Sequence, residues 1–208
     1  MGLNSFLRLS LHAQTIIPIN SNNNTAVYIR QGVSNVQFKN NLVYSNGCSY
    51  ALQFDNSNYD NFDSDYNAFG NNSNSCSRPF YYKNNSFSFS DYKDFSGKDA
   101  NSIYGVPQFV NYPNNLVPEN GLFGNIGTPF PGITMDLKGV NRSTSNPDAG
   151  ALEFNPVKNN DIAILDITSP AAPNCSGGDE IKIRVRNIGG NAITSSSFDY
   201  YINNALEG

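Results

Sequence analysis

Short apolar strands return along the first part of the chain at a spacing of about 26 residues, and no other feature restricts the fold as much. Gln14-Thr-Ile-Ile-Pro-Ile-Asn20, Asn40-Asn-Leu-Val-Tyr-Ser-Asn46 and Tyr66-Asn-Ala-Phe-Gly-Asn-Asn72 align with one another. Ala26-Val-Tyr-Ile29 likewise returns as Ala51-Leu-Gln-Phe54. Each window is a brief apolar run between polar turn residues. A period in the twenties is the length of one coil of a β-solenoid, where a single repeat cannot bury its apolar face and must stack on the next.

Asparagine supplies the punctuation between these strands, at 34 of the 208 residues. Corners of a parallel solenoid need left-handed or otherwise strained backbone, which asparagine tolerates better than other non-glycine residues, and its amide can cap groups left open at a bend. Asparagines at matching positions of successive coils can also hydrogen-bond along the axis as a ladder. The competing reading takes Ser21-Asn22-Asn23-Asn24 and Asn71-Asn72-Ser73-Asn74 as loose low-complexity loops. Evenly spaced apolar strands favour the solenoid. Helix signals are nearly absent, because few apolar sets at i, i+3 and i+4 survive between the Asn and Gly residues, so the expected class is all-β.

Charge narrows the partners. The formal net charge is −4 and the sequence pI about 4.8, with no clustered Lys or Arg, which makes a nucleic-acid backbone or an anionic membrane surface a poor partner. No apolar run approaches the ~18 residues of a membrane-spanning helix. Aromatic residues make up 12% of the chain, enough to build a core and to argue against wholesale disorder. The N-terminal Met1 to Gln14 stretch is not read as a signal peptide: no basic residue precedes its apolar part, and Arg8 interrupts it.

Several stretches resemble a known family. Val33-Ser-Asn-Val-Gln-Phe-Lys-Asn-Asn-Leu-Val-Tyr-Ser-Asn46 and Phe62-Asp-Ser-Asp-Tyr-Asn-Ala-Phe69 are similar to rungs of right-handed parallel β-helix proteins of the pectate-lyase-like superfamily. Gly97-Lys-Asp-Ala-Asn-Ser-Ile-Tyr-Gly-Val-Pro-Gln-Phe-Val-Asn111 resembles a late element of those proteins. Asp136-Leu-Lys-Gly-Val-Asn-Arg142, followed by Pro147-Asp-Ala-Gly-Ala-Leu-Glu-Phe154, resembles their terminating motif. The resemblance implies that residues 1–155 are the C-terminal rungs and cap of a β-helix, with segment 105–150 closing its apolar end. After a linker at 156–160, Asp161-Ile-Ala-Ile-Leu-Asp-Ile167, Ile181-Lys-Ile-Arg-Val-Arg186 and Phe198-Asp-Tyr-Tyr-Ile202 look like the first strands of an immunoglobulin-like domain of the bacterial adhesion-related kind, truncated within 161–208. The chain is accordingly expected to be a fragment of a secreted or cell-surface bacterial protein, with further domains at both ends.

Candidate chemistry centres on Asp55, Asp60, Asp63 and Asp65, interleaved with Asn56, Asn58 and Asn67. Hard oxygen ligands at alternating positions suit Ca²⁺, and residues 63, 65 and 67 of a strand share a face, so Asp60, Asp63, Asp65 and Asn67 are the candidate calcium ligands. The spacing fits no EF-hand, and solvated turn acids are the plainer alternative. Lyases of the resembled superfamily use a Lys or Arg base with Ca²⁺ beside a uronate. Arg78, Lys83, Lys93 and Lys98 are available, but none sits in a matching motif, so the catalytic residues are unknown. Glycosidases of the same fold use paired carboxylates, which Asp60, Asp63 and Asp65 could supply. Fold alone transfers no mechanism. Tyr81 and Tyr82 are the candidate carbohydrate-binding residues, joined by Phe87 and Phe89 if exposed; rings stacked inside successive rungs are the alternative. Cys48, Cys76 and Cys175 form no CxxC pair and are read as idle thiols or, for the first two, a bridge. His12, the single histidine, cannot alone make a metal site or a triad. The leading functional expectation is a carbohydrate-binding or adhesion-related scaffold acting on a polysaccharide or surface glycan. A polysaccharide lyase or glycoside hydrolase is the rival, and a structural stalk the third reading.

Overall fold

Polar punctuation keeps the strands short. The computed structural model describes residues 10–17, 25–30, 35–45, 50–55, 62–71, 78–119, 121–156, 160–169, 180–202 and 205–206. Asp60, Cys48, Cys76 and Cys175 lie outside them, and with them the proposed bridge. Three strands recur three times: β1 (Ser10–His12), β2 (Thr15–Ile16) and β3 (Val27–Ile29); β4 (Val36–Lys39), β5 (Leu42–Ser45) and β6 (Leu52–Phe54); β7 (Phe62–Asp65), β8 (Ala68–Asn71) and β9 (Phe80–Tyr82). They sort into three parallel sheets, each taking one strand from each repeat. Sheet A is β1-β4-β7, and sheet C runs β3-β6-β9 with β3 at one edge. Sheet B is β2-β5-β8, extended by β11 (Ile103–Tyr104). Across these stacks, Ser10 faces Gln37 and Gln37 faces Asp63, while Thr15 faces Leu42 and Leu42 faces Ala68.

Alternation decides what is buried. Val27 and Ile29, Leu52 and Phe54, and Phe80 and Tyr82 point inward, where they join Val36, Phe38, Val43, Phe62 and Phe69 in one core between the sheets. Tyr28, Gln53 and Tyr81 take the opposite face. At the turn from sheet A to sheet B the chain passes through left-handed backbone three times, at Ala13, Asn40 and Tyr66, with φ of 54°, 58° and 58°. Only the middle corner uses asparagine. The next residue in each repeat carries the ladder instead: the Asn41 side chain accepts from Gln14 N–H at 3.1 Å, and the Asn67 side chain accepts from Asn41 N–H at 2.9 Å. The amides of Asn41 and Asn67 also bond to each other, at 3.1 Å.

The third repeat is followed by an element the sequence reading did not anticipate. β10 (Asn85–Phe87) folds back antiparallel on β9, and α1 (Phe89–Ser96) follows before β11. Ser88 caps the helix, accepting from Asp91 N–H and donating to the Asp91 carboxylate, and Gly97 ends it in left-handed backbone at φ 65°. Tyr92, fully buried, stacks on Phe80 at 4.7 Å. β10 and α1 therefore cover the core beside β9.

Segment 105–150, expected to close the apolar end, instead runs along the flank and touches all three repeats. Phe130 stacks on His12, Thr128 bonds the Asn40 amide, and Phe109 packs edge-on against Tyr44. It includes the hairpin β12 (Phe109–Asn111) and β13 (Asn115–Pro118) and the 3₁₀ turn Gly121–Phe123. Leu122, Phe123 and Ala149 form a second core with Leu42, Tyr44 and Ala68 on the outer face of sheet B, so every residue of β5 and β8 is buried. The antiparallel pair β14 (Ile162–Ser169) and β15 (Lys182–Asn187) joins here: Ile188 enters the second core, its carbonyl accepts from Gly121 N–H at 2.7 Å, and the Arg186 guanidinium donates to the carbonyls of Leu122 and Gly124. β16 (Tyr201–Ile202) pairs with β17 (Ala205–Leu206). The described residues are thus mostly β, with parallel sheets and one short α-helix. Among the described residues no helix is long and apolar enough to cross a membrane.

Candidate functional site

The outward residues of sheet C line up because parallel register is maintained through all three repeats. Tyr28 lies opposite Gln53, Gln53 opposite Tyr81, and Tyr81 opposite Ser86 on β10. With strands about 4.8 Å apart, Tyr28 and Tyr81 are separated by roughly 10 Å across the strands. Tyr50 adds a third ring, 5.4 Å from Tyr81, and its hydroxyl lies 3.0 Å from Ser86 Oγ. The Thr25 hydroxyl donates to the side-chain Oε1 of Gln53, and the Tyr28 hydroxyl donates to Asp55. Exposed guanidinium groups flank the row: Arg30 sits 5.9 Å from the Tyr28 ring centroid, and Arg78 donates to Ser86 O at 3.1 Å. Tyr28 is 46% exposed, so its ring is open to a ligand. Rings, an amide and guanidinium groups on one flat face suit a solute with apolar C–H faces and hydroxyl edges.

The two tyrosines singled out in sequence part company here. Tyr81 is on this face. Tyr82 points inward, packs on Phe54 at 5.0 Å and Tyr92 at 6.0 Å, and is closed to a sugar. The reason is the two-residue period of the strand, which sends neighbours to opposite faces. Phe87 stacks on Phe95, and Phe89 packs against Phe69 and Tyr104. Tyr28, Tyr50 and Gln53 were missed, although the alternation in Ala26-Val-Tyr-Ile29 and Ala51-Leu-Gln-Phe54 was the signal that placed two of them outward.

Of the candidate calcium ligands, Asp60 lies outside the described residues, and the structure gives Asp63, Asp65 and Asn67 separate partners. Asp63 pairs with Lys39 at 2.8 Å on the outer face of sheet A. Asp65 accepts from Asn101 N–H and Nδ2 at 2.7 and 2.8 Å. Asn67 is not on that strand at all: the left-handed turn at Tyr66 carries it around the corner and buries its amide, which donates to Phe38 O and Asp99. Among the described residues, no three His, Cys, Asp or Glu side chains are grouped to hold a metal. The candidate bases are each engaged as well: Lys98 with Phe62 O, Lys93 with Ala100 O, Lys83 over the Tyr82 and Phe95 rings, and Arg78 with Ser86 O.

Asp99 and Asp148 are buried carboxylates that the sequence reading did not single out as site residues. Asp99 accepts from Ser64 Oγ at 2.8 Å, Ser102 Oγ at 2.6 Å, Asn67 Nδ2 at 3.1 Å and the Tyr92 hydroxyl at 3.4 Å. Burial raises its pKa above the ordinary carboxylate value, against the pull of those donors. Asp148 accepts from Asn125 N–H at 2.7 Å and Phe154 N–H at 2.6 Å, and burial pushes it to about 6. Beside it Arg142 binds Glu153 at 2.8 Å and the carbonyls of Asp148 and Gly150, so the motif residues Asp148, Arg142 and Glu153 hold the irregular flank together. No family model, curated protein or solved structure matches the chain.

Proposed function

We propose that the chain belongs to a right-handed parallel β-helix of the pectate-lyase-like kind and serves as a glycan-binding scaffold in a secreted or cell-surface bacterial protein. The row Tyr28, Gln53 and Tyr81, with Tyr50 beside it, carries this reading, because it presents rings and polar groups at strand spacing on an open sheet face. Three parallel sheets whose strands pair one repeat apart support the β-helix part. β14 and β15 would then open the adhesion-related immunoglobulin-like module.

A glycan array probed with the full chain and with Tyr28→Ala and Tyr81→Ala tests the platform. Each substitution is expected to weaken the bound glycan by about 1 kcal/mol, roughly fivefold. Binding that ignores both substitutions would sink the assignment of this face, and binding to no glycan would favour the stalk. One observation keeps the enzyme reading in play: Lys39 lies beside Asp63 on the exterior of sheet A, a cation next to one of the candidate carboxylates. Ca²⁺-dependent release of unsaturated uronate products, abolished by Lys39→Ala, would establish the lyase instead.

A further inference from the structure

Two rings on alternate strands set the direction and the repeat of whatever touches them both. Tyr28 and Tyr81 hold the same register position on β3 and β9, with Gln53 of β6 between them. A ligand in contact with both rings runs across the strands, along the stack of repeats, and must present the same kind of face again after two strand spacings, roughly 10 Å. The rings are held ready for this. The Tyr28 hydroxyl donates to Asp55, one repeat further on. Tyr81 packs 5.4 Å from Tyr50, whose own hydroxyl lies 3.0 Å from Ser86 Oγ. Tethered rings lose little rotamer freedom when a ligand settles on them. Between the rings, Thr25 occupies Gln53 Oε1, which leaves the Nε2 hydrogens of Gln53 as donors with no acceptor among the described residues.

We propose, resting on the glycan-binding reading of this face, that its ligand is a straight pyranose chain joined through equatorial bonds at both ends of each sugar, as in cello-oligosaccharides. It lies along the stack with alternate sugars on Tyr28 and Tyr81 and the intervening one over Gln53. The repeat carries this assignment. Each sugar of such a chain advances it by about one strand spacing, ~4.8 Å, and successive sugars are turned over, so every second sugar offers the same C–H face at the separation of the two rings. Hydroxyls at the sugar edges suit the Gln53 amide and the exposed Arg30 and Arg78 guanidinium groups beside the row. An axial linkage, as in malto-oligosaccharides, bends the chain. The third sugar then leaves the surface, and only one ring is engaged.

Disaccharides and trisaccharides of the cello, manno and chito series, titrated into the full chain by calorimetry beside maltose and maltotriose, test the assignment. In at least one equatorially linked series the trisaccharide is expected to bind about fivefold more tightly than the disaccharide, the gain from a second ring, while maltotriose gains less than about twofold over maltose. Tyr28→Ala and Tyr81→Ala should each remove that gain and leave the disaccharide within about twofold of its original affinity. The length series on the unsubstituted chain decides the matter even where a variant fails to fold by circular dichroism. Disaccharide binding with no gain in any equatorial series, or an equal gain in the malto series, overturns the linkage assignment and leaves the glycan-binding face standing. A gain that survives both substitutions in folded protein overturns the path across the two rings. Binding of no oligosaccharide at all takes down the glycan reading itself, and this inference with it.

Discussion

The Asn67 amide is bonded at both ends inside the protein, accepting from Asn41 and donating to Phe38 O and Asp99, and this is where much of the meaning of the asparagine surplus lies. Sequence reasoning offered two uses for the residue, corner and ladder. Asn40 takes the first and Asn41 and Asn67 the second, while Ala13 and Tyr66 occupy corners at some conformational cost, ~1 kcal/mol each. Which use a given asparagine serves was not legible, because adjacent asparagines look alike until their backbone angles are known. The buried carboxylates were equally invisible, since Asp99 and Asp148 are ordinary aspartates until packing removes their water. Their electrostatics set a pH dependence. Asp148 titrates at about 6 in the folded chain against 3.8 as its ordinary value, so the folded state binds the proton more tightly. Its contribution is fully present below the unfolded value and lost as pH rises through about 6, a span of ~3 kcal/mol at most. Asp148→Asn should therefore flatten the rise in unfolding free energy between pH 7 and about 5, even if the loss of the Phe154 N–H acceptor lowers stability overall; urea titrations at each pH measure the slope.

Among the elements, the strands were the most legible and the helix the least. Alternation in Ala51-Leu-Gln-Phe54 reports its own burial pattern, because side-chain direction in a strand is local. α1 has eight residues, too few for its apolar spacing at Phe89, Tyr92 and Phe95 to stand out from the serines and aspartates around it. Its caps, Ser88 and Gly97, were the signal that could have found it. Contact between elements depends on residues far apart in sequence, as at Gly70 on β8. A Cβ there would lie 2.5 Å from the Gly105 carbonyl oxygen, so the glycine lets the flank segment close on sheet B. Gly70→Ala should cost about 1–3 kcal/mol in chemical denaturation, with hydrogen exchange accelerated in residues 105–111. Unchanged stability and exchange would mean that the close approach is not needed.

At the scale of the whole molecule, the joint between the repeats and the C-terminal strands combines apolar contacts with polar ones at its edge. Arg186 reaches from β15 to the carbonyls of Leu122 and Gly124, and Ile188 and Ala163 supply apolar contacts. Arg186→Ala is expected to loosen this docking by about 3 kcal/mol. Hydrogen exchange should then quicken at Gly121 and Ile188 while the amides of Asn41 and Asn67 keep their protection; uniform change across both regions would contradict a local joint. Linker composition at 156–160 marks where the pattern changes but says nothing of this grip. By itself the sequence determined the period, the parallel pairing of strands one repeat apart and, in sheet C, the side of each strand that faces inward, because these depend on spacing and on the two-residue alternation of β structure. Only the tertiary structure decided which asparagines form the ladder, that α1 rather than segment 105–150 covers the core beside β9, that sheet B is buried on both faces, and that Tyr28 and Tyr81 share a surface. Those outcomes rest on long-range contacts and on water excluded by packing, which no local pattern encodes.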